Sequence, residues 1–368
     1  MGLLGLSGCG SPSSASVEMS SQTELVKTGS MELQYAENFT VDYYEDGYKM
    51  LTTLPDSKRY LLVPEGQPVP QGLDEDVSIL QEPLQNIYLV ASGVMDMFAS
   101  VDAVEQIRFS GQKQENWYIQ TAKDAMAAGD MIYAGKYSKP DYELLVSEGC
   151  DLAIENRMIT HSPEVVEMLQ SFDIPVMIEY SSYEQHPLGK VEWVKFFGAL
   201  TGREAEAEEA FAEQTEILEE VESGEKTGKT IAFFYVTSNG LIQVRQSTDY
   251  IPKLIELAGG RYIFENLEDS GSGRSTLNMQ VEDFYAGAKD ADILIYNSSI
   301  DGGVTTVDEL IGKCNILKDF KAVQEGQVYC TTNDMYQQSM AIGYLLQDMH
   351  TVLTDDDTAK LRYLFLLQ

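Results

Sequence analysis

The chain has 368 residues, 43% of them hydrophobic, and carries 59 acidic against 25 basic side chains, a formal charge of -34 with a pI near 4.2. An apolar share near the globular average at this length excludes a disordered chain, and at about 150 residues per domain it suggests two domains with room for a large core. Nucleic-acid binding needs a basic face to neutralise phosphates; 59 acids against 25 bases would surround such a face with repulsion, so a dedicated nucleic-acid function is excluded.

No stretch reaches the roughly 18 to 20 apolar residues that a transmembrane helix needs. Leu6-Ser7-Gly8-Cys9 matches the bacterial lipobox, where a signal peptidase cleaves before a Cys that carries lipid; the basic n-region and most of the apolar h-region are missing. Behind it, Ser11 to Ser21 with Pro12 cannot form a core and suits a flexible tether. Residues 1–30 are therefore read as a truncated lipoprotein signal and Ser-rich tether with Cys9 as the lipidation site, the alternative being a chance LSGC in a disordered tail. Cys150, Cys314 and Cys330 remain, an odd number that cannot complete a disulfide framework. Cys150, just before Leu152-Ala153-Ile154, reads as a small core residue, and a Cys314 to Cys330 bridge stays open. No CxxC or His/Cys cluster at zinc spacing occurs.

From Phe39 onward strand-like runs alternate with helical ones, the order that builds α/β layers. Phe39 to Leu54 and Tyr60 to Val63 read as strands of a hairpin or meander, and Ile87 to Val90 begins a buried strand. Pro140 to Ser147 reads as a helix closed by Gly149, Asp151 to Ile154 as a strand, and Ser162-Pro163-Glu164 as an N-cap with Pro at the first helical position. Ile174 to Tyr180 is the next strand, and a helix covers Val191 to Leu200 after a loop through His186-Pro187. Arg203 to Glu222 is the clearest helix: Thr201 and Glu204 suggest a capping box, and Ala207, Ala210, Phe211, Gln214, Ile217, Leu218 and Val221 recur at spacings of three and four. Beyond a break at Ser223 to Gly228 the alternation restarts. Strands are expected at Thr230 to Val236, Asp292 to Tyr296 and Val328 to Thr331, and helices at Asp249 to Ala258 and Gln337 to Leu353. Tyr142-Glu143 and Val281-Glu282 open similar helix-to-strand segments in the two halves, which suggests two lobes of similar build. The reading gives an N-terminal lobe at 31–202, a connecting helix at 203–227 and a C-terminal lobe at 228–368.

These phrases resemble the substrate-binding proteins of ABC importers, in the subgroup that captures iron-siderophore complexes, haem and cobalamin. The parts that carry the resemblance are the lipobox and tether, KPDYELLVSEGCDLAI from Lys139, FDIPVMIE from Phe172, FFGALTGREAEAE from Phe196, IPKLIELAGG from Ile251 and LKDFKAVQEGQVY from Leu317, in that order over nearly the whole chain. The resemblance implies two α/β lobes, each a mostly parallel sheet flanked by helices, joined by a single long α-helix with the ligand cleft between them. It implies one exposed Glu per lobe that meets Arg residues of the permease, and the matching positions are Glu143 and Glu282. The alternative for each is an ordinary Glu favoured by a helix N-terminus.

Ligand contacts in such a cleft come from loops at strand ends. Glu155 to His161 follows one expected strand and Ser181 to His186 another; Thr237-Ser238-Asn239 with Arg245, Asn297-Ser298-Ser299, and Asn333 to Tyr336 follow the strands of the second lobe. His161 and His186 are two of only three His and can ligate a metal or donate to a chelate, or else serve as a cap and a turn residue before proline. Arg157, Lys190 and Arg245 can neutralise an anionic chelate or be solvated surface cations. Tyr183, Tyr336, Trp117 and Trp193 offer flat faces, although Trp193 beside Phe196 and Phe197 reads as core; Met158 and Met335 are soft donors or packing residues. Ser270 to Ser275 resembles a phosphate loop only in its glycines, and HExxH and GxSxG are absent, so no catalytic residue is assigned. The expectation is a monomeric, lipid-anchored receptor on the outer face of the cytoplasmic membrane. It would deliver a metal chelate, a ferric siderophore first, to an ABC permease and ATPase, and it would hold no cofactor of its own. The alternatives are a haem or corrinoid receptor of the same class and, from another class, a chelatase-like two-lobed enzyme. A single connecting helix would permit only modest hinge motion.

Overall fold

Between Lys27 and Gln81 the chain builds a five-stranded sheet in the order β1 (Lys27–Ser30), β2 (Phe39–Tyr44), β3 (Lys49–Thr53), β4 (Lys58–Val63), β5 (Val77–Gln81). This structure, a computed structural model, describes residues 1, 25–267, 275–298, 301–355 and 358–368; Cys9, the Ser-rich tether, Ser299 and most of the Ser270 to Ser275 loop lie outside them. Strand alternation gives the sheet two apolar faces. Phe39, Val41, Leu51 and Leu62 look toward the main core, while Tyr48, Met50, Leu61 and Val63 form a small cluster of their own. The Tyr48 hydroxyl donates to the Pro68 carbonyl at 2.8 Å, which ties the loop after β4 to that second face. The strands expected as part of the N-terminal lobe are thus a separate layer. β1 to β4 pair antiparallel, β5 adds to β4 in parallel, and among the described residues none of the five pairs with a strand of the sheet that follows.

The second sheet is wholly parallel, in the order Val176–Glu179, Leu152–Asn156, Ile87–Leu89, Ile107–Ser110, Ile132–Tyr133. It is built from β6 (Ile87–Leu89), α1 (Val94–Ser100), β7 (Ile107–Ser110), α2 (Gln120–Ala128), β8 (Ile132–Tyr133), a small pair β9 (Gly135–Lys136) and β10 (Lys139–Pro140), α3 (Tyr142–Ser147), β11 (Leu152–Asn156), α4 (Pro163–Ser171) and β12 (Val176–Glu179). Parallel strands need helical crossovers, and these place apolar cover on both faces.

The third sheet contains β13 (Thr230–Val236), β14 (Ile242–Arg245), β15 (Arg261–Tyr262), β16 (Thr276–Met279), β17 (Ile293–Tyr296), β18 (Val328–Thr331) and β19 (Leu364–Leu366). Its helices are α7 (Tyr250–Leu257), α8 (Val281–Ala288), α9 (Val307–Lys313), α10 (Lys321–Gln324) and α11 (Ile342–Thr354). β15, β13, β17 and β18 pair in parallel at the centre, and β14, β16 and β19 add antiparallel strands at the edges. The reversal after β13 has a local cause. Asn239-Gly240 is a hairpin turn with Gly240 at φ +78°, closed by the Thr237 N–H to the Leu241 carbonyl at 2.9 Å.

Between the two lobes lie α5 (Pro187–Thr201) and α6 (Glu204–Glu222). α6 carries the chain from one lobe to the other over about 28 Å at 1.5 Å per residue. The expected capping box does not form: α5 extends through Thr201, whose hydroxyl donates back to the Phe197 carbonyl at 2.7 Å, and Arg203 precedes α6 without a side-chain cap. α5 is buried from Pro187 to Leu200 because the first sheet, α1, α6 and α11 all pack on it. Two of its neighbouring carboxylates fasten the N-terminal segment. Glu192 accepts the backbone N–H groups of Gln34, Tyr35 and Ala36 at 2.8–3.1 Å, and Glu184 accepts those of Glu37 and Asn38 together with the Trp193 indole. One apolar core therefore runs from Phe39 through Trp193 and Phe211 to Leu254 and Leu346. α11 starts at Ile342 rather than Gln337, since Gln337 is used to bridge to the first lobe, accepting from the Tyr118 N–H and donating to the Asn116 carbonyl at 2.8 Å. Cys150, Cys314 and Cys330 are free thiols, so the Cys314 to Cys330 bridge is not formed.

Candidate functional site

Three parallel strands of the second sheet, β6, β11 and β12, end at one cavity of about 510 Å³, and the segment between β18 and α11 together with the start of α7 closes its far side. Carboxyl ends of parallel strands are where backbone and loops converge on a ligand. After β11 the chain makes a 3₁₀ turn over Arg157–His161, started by the Asn156 side chain accepting the Met158 N–H at 2.9 Å and held by the Thr160 hydroxyl on the Arg157 carbonyl at 2.9 Å. Three residues per turn put Met158 and His161 on the same side of that turn, and both line the cavity and are exposed. Arg157 lies with its guanidinium carbon 4.5 Å from the centroid of the Tyr183 ring, so the lip carries a cation stacked on an aromatic face.

Deeper in, the charges are buried. Lys190 comes from α5 and sits 4.7 Å from the centroid of the Tyr250 ring, an N-lobe cation against a C-lobe aromatic. Burial lowers the pKa of its ammonium, and the charge of Glu179 is the foremost influence opposing this. Glu179 lines the same floor; burial raises its pKa, while the Ser181 N–H at 2.9 Å and hydroxyl at 2.6 Å both donate to one of its oxygens and favour the charged form. On the opposite wall the Tyr336 hydroxyl accepts from Asn297 Nδ2 at 2.7 Å and from the Arg245 guanidinium, which is itself paired with Asp249 at 3.2 Å.

The cavity thus brings together Arg157, Met158, His161, Tyr183, Lys190 and Tyr336 from the residues expected on sequence grounds. The other four stand elsewhere. His186 caps α5, its Nδ1 accepting the Leu188 N–H at 3.1 Å, and stacks on Tyr35 with centroids 4.4 Å apart, beside a second cavity of about 380 Å³. Asn239 is in the exposed β13–β14 turn, and Met335 is packed into the core. Arg245 is not in a loop but in β14, where it reaches the cavity only through Tyr336. Trp117 and Trp193 are both buried, with their indole N–H groups on Ser110 and Glu184. Replacing His186 with alanine is expected to cost about 1–2 kcal/mol in urea unfolding, from the lost cap and ring stack.

Sequence reading missed Ala91-Ser92-Gly93, Tyr250 and Ser339, all on the cavity wall. The first three follow β6 directly, and the strand-end rule applied to Ile87 to Val90 would have found them; Ser339 carries no local signal. Glu155, read as the start of a cleft loop, is the penultimate residue of β11 and points away into the apolar layer under α3 and α4. Among the described residues neither of its carboxyl oxygens has a hydrogen-bond partner, and burial pushes its pKa well above the usual carboxylate range.

A family model described as periplasmic binding protein matches residues 98–335, which begins after the first sheet. The chain belongs to that family. Its members are substrate-binding proteins. A protein described as an uncharacterized lipoprotein of Methanocaldococcus jannaschii is 24% identical over 353 residues, covering 87% of this chain and 81% of its own length. Among solved structures, an ABC-type Fe3+-hydroxamate transport system from Saccharomonospora viridis superposes with a TM-score of 0.57 at 16% identity, covering 73% of this chain and 93% of its own. A periplasmic haem-binding protein of Vibrio cholerae gives 0.57 at 14%, covering 73% and 98%. These likenesses show the two-lobed α/β fold. No helix among the described residues is long and apolar enough to cross a membrane.

Proposed function

We propose that this family member is the extracytoplasmic receptor of an ABC importer, that it captures an anionic metal chelate, a ferric siderophore first, and that it passes the chelate unchanged to a permease driven by an ATPase. The observation that carries the reading is the inter-lobe cavity of about 510 Å³, which sets Arg157 on Tyr183 at its lip and Lys190 at its floor in a chain of net charge -34. That volume is within the range of about 300–1,000 Å³ that suits compact small molecules. Cations focused in a cleft on an otherwise acidic molecule select an anion against their own surroundings. Among the described residues no group of three or more His, Cys, Asp or Glu could hold a bare metal ion, so a metal that arrives with its own donors suits the site better. The chain would act as a monomer tethered by lipid at Cys9. Glu143 and Glu282 support the docking role, each being exposed and second in its helix, α3 and α8 respectively.

Native mass spectrometry and absorbance of the protein, titrated with ferric siderophores, haem and cobalamin, test this. A 1:1 complex with a ferric siderophore, recovered chemically unchanged, is the expected result; no binding across the panel would sink the assignment. Arg157→Ala is expected to weaken the complex about 10- to 100-fold, through loss of one charge-assisted contact, with the melting temperature unchanged.

A further inference from the structure

The deep end of the cleft contains two donors on buried residues that have no acceptor among the described residues. Lys190 is 4% exposed, and among the described residues its Nζ makes no hydrogen bond or ion pair, lying instead over the Tyr250 ring. Ser339 is 1% exposed, and among the described residues its buried hydroxyl has no hydrogen-bond partner. Both line the same cavity, and α5, which carries Lys190, packs against the 3₁₀ turn Ser339–Ala341. Space beside the hydroxyl is kept by Gly93: a Cβ there would come 2.8 Å from Ser339 Oγ and 3.3 Å from the Tyr336 carbonyl. Buried donors are normally satisfied, so two that face one cavity mark the place where an acceptor enters from outside.

On the receptor reading above, we infer that the floor of the cleft is a carboxylate-binding subsite in which Lys190 Nζ and Ser339 Oγ donate to one carboxylate arm of the bound chelate. A single negative charge suits it better than a phosphate dianion. Glu179 stands on the same floor, already engaged by Ser181, and its charge is set against that of Lys190, so a monoanion leaves a smaller excess of negative charge there than a dianion would. The group can come from a polycarboxylate iron chelate or from a haem propionate, and the subsite discriminates against a neutral ligand in either case.

The test uses three probes, ferric citrate, haem and a neutral ferric trihydroxamate, titrated into the wild-type protein, Lys190→Met and Ser339→Ala. The wild type is expected to bind ferric citrate or haem more tightly than the trihydroxamate, and which of the two binds identifies the source of the carboxylate. Lys190→Met is expected to weaken that carboxylate ligand about 10- to 100-fold and to leave the trihydroxamate unaffected. Ser339→Ala removes an unpartnered buried hydroxyl, so its melting temperature is expected to hold or rise while carboxylate affinity falls about 3- to 10-fold; this keeps the test decisive if Lys190→Met does not fold. Equal effects on all three probes would overturn the subsite while leaving the receptor reading intact; tightest wild-type binding of the trihydroxamate would overturn the subsite together with the anionic preference, leaving a chelate receptor. No wild-type binding of any probe would remove both.

Discussion

Replacing Glu192 with alanine is expected to lower the unfolding free energy by about 3–5 kcal/mol, measured by urea denaturation, because it strips the acceptor from three backbone donors and the counter-charge from a buried lysine. Glu192 has no exposed surface, and its carboxylate is the acceptor for three consecutive backbone N–H groups, those of Gln34, Tyr35 and Ala36. Lys195, almost as deeply buried, lies 3.5 Å away and would keep the exposed Glu208 at 3.0 Å and the Phe211 ring, but no buried counter-charge among the described residues. The loss is local in origin but wide in effect. These N–H groups belong to the segment that enters β2, so the first sheet should become open to protease at residues 30–40 before the lobes unfold. A variant that unfolds with wild-type stability would mean that the N-terminal sheet is held by apolar packing alone.

Arg245→Leu is expected to cost a similar amount, about 3–5 kcal/mol, for a different reason: it leaves the Asp249 carboxylate buried without its cation. Asp249 also caps α7, accepting the Ile251 N–H at 3.0 Å, so the helix that presents Tyr250 to the cleft would shift with it. Tyr336 loses one of its two donors at the same time, and chelate affinity should drop about tenfold as the wall loosens. Removing both members of the pair separates these effects. Arg245→Leu/Asp249→Leu should regain the part of the stability lost to the unpaired carboxylate but not the part owed to the α7 cap, and it should not regain affinity, because Tyr336 remains unsupported. Recovery of both properties would show that Arg245 serves the cleft only through global stability.

The positions of most second-lobe elements could be read from punctuation. Gly and Pro breaks and three-to-four spacing located α6, α7 and β17 to within a few residues, because there the local pattern and the packing agree. What escaped was long-range. Nothing near Phe39 says that its strand starts a separate sheet, since a meander looks the same whether or not it joins a parallel sheet further on. Asn239-Gly240 did signal a hairpin, and reading it as a cleft loop displaced Arg245 from its strand. At the site the strand-end rule located the Arg157 to His161 turn and Tyr183, whereas Lys190 was placed by residue type and its burial was invisible. His186 was misplaced by the same rule: the chain after β12 turns away from the cavity within five residues to cap α5.

If the space between the lobes holds an iron chelate, anomalous diffraction at the iron edge, from crystals grown with the chelate retained in titration, will locate it. One iron peak is expected inside the cavity bounded by Arg157, Tyr183 and Lys190 on one side and by Tyr250 and Tyr336 on the other. A peak at the His186 and Tyr35 cavity instead, or no ordered iron under saturating chelate, would contradict it.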